Sequence, residues 1–202
     1  MLRKLADAAS PGSEDHCFAH RHLAEMNVES QPWHAALSAR TVLSQTPEDD
    51  RAWAVLGLSF TLLGHYRAAV AAYRRAVALA PTNPWYAHNL GHLLDVACSR
   101  PAEAIPLLAK ALRKESKEAE IAASLAHALG GVGRFEEAQT LLRAYMKHGG
   151  TADQRALMTW LEDGSAIALG TAPAPRKRRQ RARRDSNDGA ARKASPKNAP
   201  GN

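Results

Sequence analysis

The stretch Arg51-Ala-Trp53-Ala-Val-Leu56-Gly57-Leu-Ser-Phe60, followed by Gly64, Tyr66, Ala69, Tyr73, Ala76 and Pro81, decides how the rest of the chain is read. Trp53, Leu56, Gly57 and Phe60 stand at i, i+3, i+4 and i+7, one stripe of an α-helix, and Ala69, Tyr73 and Ala76 form the matching stripe of a second helix. The two stripes face each other. Small residues at Gly57 and Ala69 let the backbones approach closely, and the aromatic side chains fill the space on either side. Gly64 marks the turn between the helices.

The same order of large and small residues returns along the chain. One period further on stand Leu90-Gly91, Leu94, Ala104, Leu108 and Ala111, and beyond them Leu125-Ala126, Leu129, Gly133, Phe135, Ala138 and Leu142. Gly57 to Gly91 and Ala104 to Ala138 are both 34 residues, whereas Ala69 to Ala104 is 35, so one residue is inserted, by expectation in the turn 95–101. Upstream, Ala35, Ala39, Val42 and Pro47 fit the second half of another unit whose first half, 16–27, is degenerate. The pattern W-x2-LG-x2-F…G-x-Y-x2-A…Y-x2-A…P resembles the tetratricopeptide repeat (TPR). That resemblance implies an all-α, right-handed α-solenoid of helix hairpins. The expected organisation is a lead at 1–12 and a repeat domain at 13–164, followed by a disordered basic tail at 165–202. Within the domain, repeats fall near 16–49 (degenerate), 50–83, 84–118 and 119–150, and a capping helix at 152–162 covers the last apolar face, with Trp160 expected in its core. Thr46-Pro47-Glu48-Asp49 offers an N-cap followed by a proline at the first helical position, and Thr151-Ala-Asp-Gln154 reads as a capping box. Pro106 falls inside a helical pattern, so that helix must begin late or bend.

Composition agrees with helices in close contact. Alanine supplies 41 of the 202 residues and aromatics only 5%. Cys17 and Cys98 lack the paired spacing of a zinc site and are too few for a disulfide framework, so free thiols are expected. No run of 18 apolar residues and no signal-type leader occurs, which predicts a cytoplasmic protein. The net charge of +7 is unevenly placed: residues 171–202 hold ten Lys/Arg against two Asp, a balance of +8, and the remainder is near neutral at −1. Pro173-Ala-Pro175 breaks structure, and the run Arg176, Lys177, Arg178, Arg179, Arg181, Arg183 and Arg184 has no apolar face with which to fold alone. Such a run suits non-specific nucleic acid or an anionic membrane, or serves only to solubilise the chain without a dedicated partner; with no aromatic interleaved, base stacking is not expected.

No serine-hydrolase elbow, phosphate loop, zincin or dinucleotide motif is present, so an enzyme and a cofactor are not expected. His16/His20 and His88/His92 are i, i+4 pairs, and His127 falls one period on from His92; metal binding or an accessory enzymatic role at His88/His92 is the minor alternative. The resemblance implies instead a partner-binding wall made from the first helix of each repeat. On it fall Arg51, Val55 and Leu58, then His88, Asn89, His92 and Asp95, then Ser124 and His127. Asn89 resembles the asparagine with which TPR proteins hold a peptide backbone, since an amide donates and accepts at once. A carboxylate clamp needs a Lys/Arg/Asn cluster; Arg51 and Asn89 alone fit it, and Asp95 and Glu120 oppose it. The wall therefore suits an extended or helical peptide with an apolar anchor. Secretion-type TPR chaperones are similar in size and are the other alternative, although the basic tail is foreign to them.

Overall fold

The structure is a computed structural model, and it describes residues 1–146 and 149–168. These residues form α1 (Leu2–Ala8), α2 (Glu14–Asn27), α3 (Pro32–Gln45), α4 (Asp50–Leu62), α5 (Tyr66–Leu79), α6 (Pro84–His92), α7 (Pro101–Lys114), α8 (Ala119–Gly131), α9 (Phe135–Tyr145) and α10 (Ala152–Ala168). A π-helical turn, Leu93–Ala97, continues α6. Each helix packs on the next, and α2 also meets α4 and α6 meets α8, so the first helices of successive hairpins lie side by side.

The apolar stripes meet as the spacing requires. Tyr73, Leu94, Leu108, Leu129, Leu142 and Leu161 are fully or almost fully buried, among alanines at Ala69, Ala104 and Ala138 that admit nothing larger. A Cβ placed on Gly57 would stand 2.8 Å from the ring of Tyr73, and one on Gly91 would stand 2.7 Å from Leu108, so close helix contact demands glycine at both sites. In α10, Gln154, Met158 and Leu161 close the apolar end of α8 and α9.

Several local expectations are corrected. Thr46 caps no N-terminus: it ends α3, and Asp49 caps α4 by accepting from the Ala52 N–H at 2.8 Å. The capping box at α10 forms as the sequence predicts, with Gln154 Oε1 accepting from the Thr151 N–H and Thr151 Oγ1 from the Gln154 N–H. Pro106 does not delay α7, which begins at Pro101 and runs through it. Pro106 and Ala102, whose carbonyl loses its i+4 donor there, both lie on the exposed side, so that carbonyl faces solvent. α10 runs to Ala168, so 165–168 are helical rather than the start of a disordered tail.

The inserted residue sits in a helix end rather than in the turn. The left-handed residue closing the first helix is Gly64 (φ 75°) in the second hairpin and Gly133 (φ 82°) in the fourth; in the third it is Ser99 (φ 54°), eight residues after Gly91 instead of seven. The surplus is taken up as a wider turn, in which the Cys98 N–H donates to the Leu93 carbonyl five residues back.

Candidate functional site

The side-by-side first helices are tied by polar side chains. Arg51 on α4 reaches Glu25 on α2 at 2.7 Å, and the Tyr86 hydroxyl on α6 donates to Asp50 on α4 at 2.8 Å. Val55 and Leu58 are half-buried on α4, one to two turns after these contacts. From α6 to α8 the links become denser. Ser124 Oγ lies 3.1 Å from His88 Nε2 and 3.3 Å from His92 Nδ1. A hydroxyl has one proton, so it donates to at most one of the two imidazoles. His88 is 4% exposed and its Nδ1 has no hydrogen-bond partner. Burial holds His88 below the usual histidine range; Glu120 pulls it back up, His92 pushes it further down, and the Asn89 side chain favours the charged form.

Asp95 is not an exposed groove residue. Its place in the π-turn buries it, and its carboxylate accepts from His127 Nδ1 at 2.6 Å. That bond lifts His127 above the ordinary imidazole range; partial burial opposes the shift and the charge on Asp95 adds to it. The His127 ring stacks on Trp160 with centroids 5.1 Å apart and planes 16° from parallel. Trp160 is therefore not a buried capping-core residue: one edge of its ring packs against Gly130 beside Leu161, but Leu161 is fully buried whereas Trp160 stays 42% exposed. Asn89 is half-buried and, like Thr61, lies close enough to the buried Tyr73 hydroxyl to favour its ionised form, but burial dominates and pushes the phenol up to about 12.

The sites expected from sequence thus divide. His88, His92 and Ser124 come together, Asp95 and His127 pair, and Asn89 lies near Tyr73, whereas Arg51, Val55 and Leu58 stand apart from them on α4. Two residues escaped sequence reasoning. Trp85, 40% exposed and edge-on to His88, stands one period after Arg51, so the repeat alone places it on this wall. Trp160 lies outside the repeats, and no period points to it. Among the described residues no group of three His, Cys, Asp or Glu side chains is placed to hold a metal ion. The tail cations Arg176 to Arg184 lie outside the described residues.

A profile described as tetratricopeptide repeat matches residues 95–161, and one described as TPR repeat matches 57–94, together just over half of the chain. No curated protein sequence gives a significant match. Among solved structures, MamA from Desulfovibrio magneticus RS-1 superposes with a TM-score of 0.68 at 15% identity, over 78% of this chain and 91% of that one. YrrB, described as a TPR protein with an unusual peptide-binding site, gives 0.69 at 17% identity over 84% of each chain. PilW, a type IV pilus biogenesis factor, gives 0.61 at 17%, over 80% of this chain and 81% of its own. Spacing, helix pairing and profile matches agree: the chain belongs to the tetratricopeptide repeat family.

Proposed function

We propose that this protein is a non-enzymatic adaptor that binds a peptide segment of another protein along the wall formed by α4, α6 and α8 and closed by Trp160 of α10. The observation that carries this reading is the row Trp85, His88, His92, Ser124, His127 and Trp160. There two partly exposed indoles flank polar groups held in fixed orientations by one another. Indole faces take an apolar anchor, and the half-buried Asn89 amide brings both donor and acceptor capacity for a peptide backbone. The similarly folded YrrB, which has a peptide-binding site, supports the same use of the fold. In this reading the cationic segment 171–202 supplies a second, electrostatic contact with a phosphate-bearing polymer or an anionic surface. Both cysteines are free thiols, as suits the cytoplasm, and no helix among the described residues is long and apolar enough to cross a membrane.

Selection of peptides from a random display library on the purified full chain tests the proposal. Selected peptides should bind Asn89→Ala and Trp160→Ala more weakly by about 1–3 kcal/mol each, the usual cost of an unpaired buried polar group or a lost aromatic anchor. Peptides that bind both variants as tightly as the wild type would place the binding surface elsewhere.

A further inference from the structure

The chemistry of the groove's C-terminal end points to a cationic occupant. Trp160 has one face against His127 and is still 42% exposed, and Trp85 is 40% exposed; such indole faces attract guanidinium groups. Two carboxylates stand near them. Glu120 lies on α8, close enough to His88 to favour its charged form, and Asp163 lies three residues after Trp160 on the same face of α10. Neither has an ion-pair partner among the described residues.

The chain carries a matching segment of its own. The sequence continues 34 residues past Ala168, and Arg176, the first of six arginines within nine residues, comes only eight residues after it. Eight extended residues span at most about 26–29 Å. Trp160 lies eight residues back along α10, about 12 Å at the helical rise. The segment therefore reaches the groove with slack, and tethering holds it there at a local concentration on the order of millimolar. The charges also match, with +8 on residues 171–202 and −1 on the rest of the chain.

We propose that the arginine-rich segment Arg176–Arg184 docks into the groove of its own chain, its guanidinium groups against Trp160 and Trp85 and beside Glu120 and Asp163. This rests on the groove being a peptide-binding surface and adds that the free protein occupies it with its own tail. A partner peptide then displaces the tail and frees its arginines for anionic contacts, so that the two ends of the molecule compete.

The indole N–H signals of the four tryptophans in the 15N-labelled full chain test this, each assigned by single Trp→Phe substitution. The comparison is with a full chain in which the six arginines of 176–184 are changed to Gln. At low salt, the Trp160 and Trp85 signals should shift between wild type and variant while Trp33 and Trp53 stay in place. About 0.5 M salt, where the Debye length is about 4 Å, should move the wild-type signals to the variant positions. Identical spectra at low salt, or shifts at Trp33 and Trp53 instead, overturn the proposal. Shifts that vanish on about twentyfold dilution indicate a second copy as the occupant and overturn docking within one chain. If selected peptides still depend on Asn89 while the indole signals do not move, only the tail docking fails and the peptide-binding reading stands.

Discussion

Gly57 shows what a single residue contributes. The ring of Tyr73 lies where its side chain would be, so Gly57→Leu forces α4 and α5 apart. Overpacking of this kind costs about 1–3 kcal/mol. A lowered midpoint in thermal unfolding followed by circular dichroism is the expected outcome, and an unchanged midpoint would contradict the register. His127 and His88 make opposite contributions to pH dependence. His127 is raised in the folded state, so the stability it adds is complete below its unfolded value near 6.5 and is lost as pH rises through the higher folded value. His88 is lowered, so its contribution is present above 6.5 and is lost as pH falls from there toward its folded value. In urea unfolding between about pH 5.5 and 8, the stability difference between wild type and His127→Gln should therefore shrink with rising pH. A difference that stays constant or grows would show that His127 is not held charged by Asp95.

At the scale of the element, α10 is part of the fold and of the proposed site at once, through adjacent residues. Leu161 is fully buried, so Leu161→Ala should cost about 2–4 kcal/mol, whereas Trp160→Ala removes a half-exposed ring and should cost clearly less in melting experiments. Equal losses would return Trp160 to the core. Hairpin order was legible in sequence because Trp53, Leu56, Gly57 and Phe60 state the packing stripe outright, and period 34 carries it forward to Gly91. Two features were not. A count of 35 residues reveals an insertion but cannot say whether a turn or a helix absorbs it, and the burial of Asp95 follows from the helix taking it as a π-turn. The exposed face of Trp160 depends on the angle at which a non-repeating helix docks, and Leu157, Trp160 and Leu161 all fit an amphipathic stripe equally well.

Across the whole molecule, a near-neutral helical body is followed, past the end of α10, by a cationic segment. If that segment meets phosphates, binding to single- or double-stranded nucleic acid should ignore sequence and weaken steeply with salt. For about six contacts, log K against log salt should fall with a slope of roughly −4 to −5. Full affinity in the six-arginine variant would move that contact to the helical body. The claim on which everything else depends is that the wall of α6 and α8 receives a peptide. Its most direct measurement is the 15N–1H spectrum of the full chain titrated with a selected peptide. Shifts concentrated at His88–His92, Ser124–His127 and the Trp160 indole are expected. Shifts confined to α5, α7 and α9, on the second helices of the hairpins, would contradict it.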